Sequence, residues 1–499
     1  MGATRRSDIG RSEFSRVVGR RAREIVRAMP RRPLALIAFA CACALSIIGP
    51  ASADEDDATI ARALDAHVQA YENSGRFRGA VLVARDRHVV YQRAVGMAGD
   101  ARPNDATTLF HVGSISKMFV AASILKLQEQ GRLRTSDPLH EFFPEVPASR
   151  FASTDGAVAT LAHALHHTSG LRRSDDTLLF FRLWQDEVVF REQLDAVTAN
   201  GLLTVPGASF SYNNFGFVLL AEIVTRVSGV PYARYLREHV LANAPGAEDI
   251  TTIGAADATR MARGAVHALG GWVDSQRAFG LDARAFDSQP SGNLVATPSA
   301  LFAWIDALAN GRILSSASLD EMITPALSEY GYGIGVNERG GWKRISHAGA
   351  ITPAGHCAEL EYFPEHGAAV IVLANGDDVS VPLSDLTREL RQVLQGSEVA
   401  VARRADDAPR AARELGVLLL AMFGRAAWAR ALQAIALALL LHRLTRARRR
   451  GARGVSATAA WLAATLALAV VVGATPAALA CVALAAVAMT IVGWRRRVS

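Results

Sequence analysis

Ser114 and Lys117 stand three residues apart in the run Phe110-His-Val-Gly-Ser114-Ile-Ser-Lys117-Met-Phe119. On a helix that spacing puts both side chains on one face, within contact. Lysine is rare here: only Lys117, Lys126 and Lys343 are lysines among 54 basic residues, and the other 51 are arginines. Arginine stays protonated in a protein, whereas a lysine desolvated inside an apolar helix can give up its proton and act as a base. The pair therefore predicts a serine nucleophile with a lysine base. Gly113 permits a tight turn just before the serine, and the free N–H groups of a helix start favour the negative charge that develops there. Taken alone, the same spacing also fits a capping serine followed by a surface lysine.

Two further constellations strengthen the chemical reading. Ser211-Tyr212-Asn213-Asn214-Phe215 precedes an apolar helix. A tyrosine beside a lysine loses its proton more readily and can serve as general base toward the nucleophile or the leaving group. Asn214 can donate its amide to a substrate carbonyl and also bind Lys117. Ser346-His347-Ala348-Gly349-Ala350 lies on a strand-like run. There the small residues and Gly349 let a substrate backbone lie close to the strand edge. His347 can position a polar group or pass protons. The N–H of Ala350 can pair with that of Ser114 as an oxyanion hole.

In this order and with these flanks, the three motifs resemble those of the serine β-lactamase and penicillin-binding-protein superfamily, which uses Ser-x-x-Lys with two further motifs. Within it the chain looks like the branch of class C β-lactamases, D-alanyl-D-alanine carboxypeptidases and esterases. The resemblance covers about residues 58–396. Leu165-His-His-Thr-Ser-Gly-Leu171, Asn293-Leu-Val-Ala-Thr-Pro-Ser299, Tyr330-Gly-Tyr-Gly-Ile-Gly335 and Leu373-Ala-Asn-Gly376 also look familial. The resemblance implies that Ser114 is acylated, that Lys117 is its partner, that Tyr212 relays protons and that Asn214, His347, Gly349 and Ala350 contact substrate. It departs at His347, where class C β-lactamases carry a lysine that binds a substrate carboxylate. A neutral histidine binds it less well, so carboxypeptidase or esterase chemistry is expected ahead of β-lactam hydrolysis.

The elements that must hold these residues read as an α+β domain. A helical apolar spacing runs through Ile60, Leu64, His67, Val68 and Tyr71. Strands are expected over 79–84 and 88–91, around a turn at Asp86-Arg87. A mostly buried helix runs from Ser114 to about Gln130. Helices and loops fill 155–310, one of them closed by Gly229 and Pro231, another capped by Thr297 with Pro298 in its first turn. Short strands follow at 332–336, 344–347, 358–363 and 368–374, and a last helix at about 382–395. Strands at both ends of the domain predict one sheet assembled from both ends. The resemblance gives this arrangement as a β-lactamase-like fold, an antiparallel sheet flanked by helices plus a mostly helical subdomain.

Charge divides the chain in three. Residues 1–53 carry a net +7, residues 411–499 a net +11, and residues 54–410 a net −11. The middle is thus an acidic domain, which argues against nucleic acid as a partner. An apolar run at 34–48 follows Arg31-Arg32 and ends in Ala51-Ser52-Ala53, so 1–53 reads as a signal peptide. A start at Met29 would give a leader of 25 residues. Staying uncleaved as an anchor is the alternative.

Past a linker at 401–414, residues 415–495 read as a membrane module of three helices. Residues 455–473 and 476–494 are uncharged apolar runs of 19 residues each, close to the ~20 that a spanning helix needs. The run 416–441 gives a third span, roughly 426–442; Arg425 and Arg430 interrupt the run and can snorkel to the outer interface. The arginines at 443–453 and Arg495-Arg496-Arg497 place both loops inside.

The expectation is a bacterial inner-membrane, multi-pass serine hydrolase. Its catalytic domain (54–400) would face the periplasm or cell exterior and its C-terminus the cytoplasm. It would cleave D-amino-acid peptides or small esters through an acyl-Ser114 intermediate. The alternative is a membrane sensor or penicillin-binding receptor, acylated by cell-wall fragments without turnover. No cofactor is expected. No metal is expected either: Cys357 is the one cysteine of the exported domain, and His166-His167 lack a third ligand at metal spacing.

Overall fold

The computed structural model describes residues 51–173, 190–268, 271–279, 287–351, 354–377 and 383–401. The chain divides after Arg62 into two units, and of the first only the opening of helix α1 (Ala51–Asn73) is described. In the second unit α1 buries Leu64, His67, Val68 and Tyr71 on one face, as their spacing predicts.

Strands β1 (Gly79–Arg85) and β2 (His88–Val95) form a hairpin. Asp86 and Arg87 take φ values of 51° and 68°, the two positive angles that let a two-residue turn match the twist of its strands. Strand β3 (Phe110–His111) leads to Ser114, and helix α2 (Ser116–Glu129) follows. Nearly all of α2 is buried, so it reads as a core helix rather than an amphipathic one. Helix α3 (Asn214–Ser228) packs on α2 and ends at Gly229, whose φ of 80° closes it.

Strands β4 (Thr251–Thr252), β5 (Ala265–Ala268), β6 (Gly271–Asp274) and β7 (Leu294–Ala296) are short. Helix α4 (Pro298–Ala309) is capped by the Thr297 hydroxyl, which accepts the Ala300 N–H, with Pro298 in the first turn as expected. Strands β8 (Gly335–Arg339), β9 (Trp342–Ile351), β10 (His356–Phe363), β11 (Ala368–Ala374) and β12 (Gly376–Asp377) precede helix α5 (Leu383–Leu394).

The main sheet has the order β2-β1-β11-β10-β9-β8 and is antiparallel throughout, so strands from both ends of the domain do form one sheet. Ala80, Leu82, Leu360, Ile371 and Leu373 face a core shared with α2, α3 and α4. The alternate residues Val81, Val83, Val370 and Val372 are also fully buried and face the other way. On that face lies α5, whose Arg391 bonds Glu361 of β10. It is tied to α1 by Glu389, which takes hydrogen bonds from Tyr71 at 3.1 Å and from the His67 ring at 3.1 Å. Both faces of β1 and β11 are therefore covered, which is why their sequences are continuous apolar runs.

Two small sheets, β12-β5-β6 and β3-β7-β4, were not expected. The strand expected at 332–336 also moves: β8 begins at Gly335. Before it the chain turns back, with Gly333 at φ 66° and the Gly331 N–H bonded to the Ile334 carbonyl. Among the described residues no single helix is long and apolar enough to cross a membrane. Residues 1–50 of the expected signal peptide (1–53), and the expected linker and three spans apart from Val401, lie outside the described residues.

Candidate active site

The nucleophile turn is set by its neighbours. β3 pairs with β7 through Phe110↔Ala296 and His111↔Val295, and the Val112 N–H bonds the Leu294 carbonyl at 3.1 Å. The chain then makes one 3₁₀ turn, Gly113–Ile115, before α2 starts at Ser116. Ser114 thus sits in the turn leading into the helix and not, as the sequence suggested, in its first α-helical residue. Gly113 has φ 51°, and a Cβ there would lie 2.9 Å from the Ala350 nitrogen. Ser114 is the one partly accessible residue between Phe110 and Val120.

Lys117 is fully buried, alone among the three lysines. Its Nζ donates to Ser114 Oγ at 3.0 Å and to the Ser291 carbonyl oxygen at 2.9 Å. The same Nζ lies 4.9 Å from the centre of the Tyr212 ring and 5.8 Å from that of Phe217. The ring faces and the carbonyl hold the amine in place. The contact to Ser114 also runs in reverse: a neutral amine accepts the hydroxyl proton as the oxygen attacks. Gly333 packs on the Lys117 backbone, where a Cβ would come within 2.7 Å of the lysine carbonyl oxygen.

Tyr212 is half-buried just ahead of α3. The amide anchored here belongs to Asn213. Its Oδ1 caps α3 by accepting the N–H groups of Phe215 at 3.0 Å and Gly216 at 3.3 Å, while its Nδ2 donates to the carbonyls of Leu171 and Arg172. Asn214 is the first residue of α3 and partly exposed. The Asn213 N–H in turn bonds His167 Nδ1 at 3.0 Å, and the His167 ring stands 4.3 Å from that of Tyr212. Burial, and then the positive Lys117, hold the His167 imidazole well below its ordinary pKa, so it stays neutral.

His347 occupies the strand on the far side. β8 begins opposite Ser346, so β9 from His347 to Ile351 is paired only with β10 among the described residues, and its other edge faces the nucleophile turn. A Cβ on Gly349 would lie 2.0 Å from the Val112 carbonyl oxygen and 3.1 Å from the Ser114 nitrogen. Turn and strand therefore touch through backbone, with the Ala350 nitrogen beside Gly113 and the Ser114 nitrogen beside Gly349, the neighbourhood in which an oxyanion hole made of those two N–H groups would lie. The His347 side chain is not open to substrate in the way the sequence suggested. Its Nδ1 lies 2.6 Å from the Ala348 carbonyl and its Nε2 lies 2.9 Å from the Tyr330 hydroxyl. Burial, followed by the positive Lys117, lowers its pKa to about 3.

The structure thus gathers Ser114, Lys117, Tyr212, His347, Gly349 and Ala350 around one turn. Sequence reasoning missed Ser291, Asn213 as the anchored amide, and the roles of His167 and Tyr330. The last two fall within motifs quoted from sequence, and the capping position of Asn213 was the available signal for the third. Ser291 acts through a backbone carbonyl and left none. Among the described residues no group of three or more His, Cys, Asp or Glu is placed to hold a metal ion.

Comparison with known proteins agrees with this fold. The family model described as Beta-lactamase matches residues 64–395. The putative penicillin-binding protein PbpX of Bacillus subtilis is 24% identical over 336 residues, 64% of this chain and 75% of that protein. Esterase EstB of Burkholderia gladioli is 31% identical over 198 residues, 37% of this chain and 50% of the esterase. Among solved structures, the D-amino acid amidase of Ochrobactrum anthropi SV3 complexed with D-phenylalanine superposes with a TM-score of 0.58 at 22% identity, covering 69% of this chain and all of the amidase. That last likeness shows a shared fold.

Proposed function

The chain belongs to the beta-lactamase family and is a serine hydrolase, and we propose on that footing that it cleaves D-amino-acid peptides or small esters through an acyl-Ser114 intermediate. The observation that carries this is the 3.0 Å contact between Ser114 Oγ and the fully buried Lys117 Nζ. In the attack Lys117, in its neutral form, takes the Ser114 proton while Oγ bonds the substrate carbonyl carbon. The resulting oxyanion lies between the N–H groups of Ser114 and Ala350. Tyr212, over whose ring the lysine sits, passes a proton to the leaving group, and Asn214 holds the substrate amide. Water then attacks the acyl-enzyme with the same groups in reverse roles. The names of the esterase and the D-amino acid amidase support these substrate classes.

The same reading places the enzyme at the inner membrane, catalytic domain outside and C-terminus inside. The leader-like segment at 1–53, the uncharged apolar runs at 455–473 and 476–494, and the arginines that flank them support it.

A fluorophosphonate probe tests the acyl-enzyme. It is expected to label the wild type on Ser114 and to leave Ser114→Ala unlabelled; labelling that survives in Ser114→Ala would place the nucleophile elsewhere. Acylation by a thioester that is never released would favour the sensor instead.

A further inference from the structure

A cavity of 390 Å³ opens beside the start of β1 and shares no lining residue with the site around Ser114. That volume is enough for a small molecule. Phe77, Met97 and Trp272 give it an apolar side. Its frame is held by Asn375, from the Leu373-Ala-Asn-Gly376 run that the catalytic turn does not use. The Asn375 N–H bonds the Arg78 carbonyl at 3.1 Å, and its Nδ2 donates to the carbonyls of Met97 at 2.9 Å and Arg263 at 2.8 Å. A Cβ on Gly376 would lie 2.5 Å from Arg78 Cγ and 2.6 Å from the Trp272 ring, so glycine lets both side chains pack there. The charges lining the cavity are unevenly matched. Glu72 is held by Arg93 at 2.5 Å, and Asp100 by Arg263 at 3.2 Å and Arg277 at 2.8 Å. Arg78 and Asp274 are left over. The Arg78 guanidinium lies 5.8 Å from the centre of the Trp272 ring and donates to the Met97 carbonyl, but its Nε is buried with no acceptor among the described residues. Asp274 accepts the Arg277 N–H at 2.9 Å. Its charge reaches Arg78, favouring the cation that burial disfavours, yet the two form no ion pair with each other.

We propose that this cavity binds a small zwitterion, a free amino acid, with its carboxylate on Arg78, its ammonium on Asp274 and its side chain against Phe77, Met97 and Trp272. A part-buried guanidinium with no carboxylate, and a buried Nε with no acceptor, carry a desolvation cost that a ligand can offset. The planar guanidinium matches a carboxylate in shape and charge. A simple anion would meet the Asp274 charge, and a simple cation would meet Arg78. A ligand that carries both signs answers both groups at once. Glu72 and Asp100 compete less for the ammonium, because arginines already hold them. The inference goes beyond the hydrolase reading, since the site is separate from Ser114. The two are chemically linked only in that hydrolysis of a D-amino-acid peptide releases a ligand of this class.

Isothermal titration of the full chain with D- and L-phenylalanine, before and after fluorophosphonate labelling, tests this. At least one enantiomer is expected to bind, with the same affinity in both states. On the labelled protein, which cannot hydrolyse an amide, N-acetylphenylalanine keeps only the carboxylate and phenylalaninamide only the ammonium. Each is expected to bind about tenfold or more weakly, the scale of one lost charge-assisted hydrogen bond. Arg78→Met and Asp274→Asn are expected to weaken the amino acid by a similar factor, and the asparagine still accepts the Arg277 N–H. Gly99→Leu adds a side chain to the lining where a Cβ would meet nothing within 4 Å. It is expected to abolish binding while Ser114 still labels, and this arm decides where Arg78→Met does not fold. No binding of either enantiomer at about 10 mM overturns the proposal. So do single-charge analogues that bind as well as the amino acid, or unchanged binding in the folded variants. Binding lost on labelling Ser114 puts the ligand in the active site and overturns it too. A wild type that does not label at Ser114 overturns the hydrolase reading, and binding that is intact in that protein still supports the zwitterion site.

Discussion

Gly349 and Ser114 meet through their backbones: a Cβ on Gly349 would stand 3.1 Å from the Ser114 nitrogen, and 2.0 Å from the Val112 carbonyl oxygen. No side chain can give way there, because the atoms in contact are main chain. Gly349→Ala must therefore push β9 away from the nucleophile turn and separate the Ala350 and Ser114 N–H groups. Labelling and turnover are expected to fall by about 100-fold or more, the scale of losing an oxyanion donor. The thermal midpoint drops as well, by what about 1–3 kcal/mol of overpacking implies. A variant that turns over at the wild-type rate would show that the two N–H groups do not act together.

Lys117→Arg separates charge from basicity. It keeps a cation beside Ser114 but cannot take a proton, and the bulkier guanidinium must fit where the lysine is fully buried. Labelling is expected to fall by about 10²–10⁴-fold, the range of a lost general base. Lys126→Arg is the control: that lysine pairs with Glu129 at 2.8 Å near the surface, far from the chemistry in role, and its exchange should leave labelling unchanged. Normal labelling of Lys117→Arg would remove lysine from the mechanism.

What was legible in the sequence followed from residue type and period. Ser114, Lys117 and Tyr212 announce themselves because few side chains can do their work. β1 and β11 announce themselves because strands buried on both faces must be apolar throughout. The errors have equally physical origins. The run Tyr332–Val336 reads as strand, yet Gly333 takes φ 66°, at a place where a Cβ would come within 2.7 Å of the Lys117 carbonyl oxygen. The strands of the two small sheets have two to four residues, too few to show a period. Ser291 supplies a carbonyl, which every residue has. The partner that occupies His347 was not legible, because Tyr330 lies 17 positions earlier in the chain.

The membrane reading makes its own prediction. With the domain outside and an odd number of spans after it, the C-terminus lies inside, in line with the arginines at 443–453 and 495–497. A fluorescent protein fused after Ser499 is expected to be bright and an alkaline phosphatase fused there inactive. The reverse pattern would overturn the three-span arrangement, and a chain recovered wholly in the soluble fraction would overturn the anchor.

Glu359 gives stability a pH dependence of definite sign. It lies on β10 beside Glu361, on the face covered by α5, and burial first, then the neighbouring Glu361 charge, raise its pKa to about 7 against the opposing pull of Arg344 and Arg391. In the unfolded chain a glutamate titrates near ~4.3. The folded state thus holds this proton more tightly than the unfolded state, and folding favours the neutral acid. That stabilisation is complete below about pH 4 and is lost as pH rises through about 7. Glu359→Gln mimics the neutral acid at every pH. The variant is expected to be more stable than wild type at about pH 8, by up to about 3 kcal/mol, with the gap closing toward about pH 5. Urea unfolding of the two proteins across that range measures it. A gap that stays constant with pH, or that widens as pH falls, would mean that Glu359 is charged and satisfied in the folded protein.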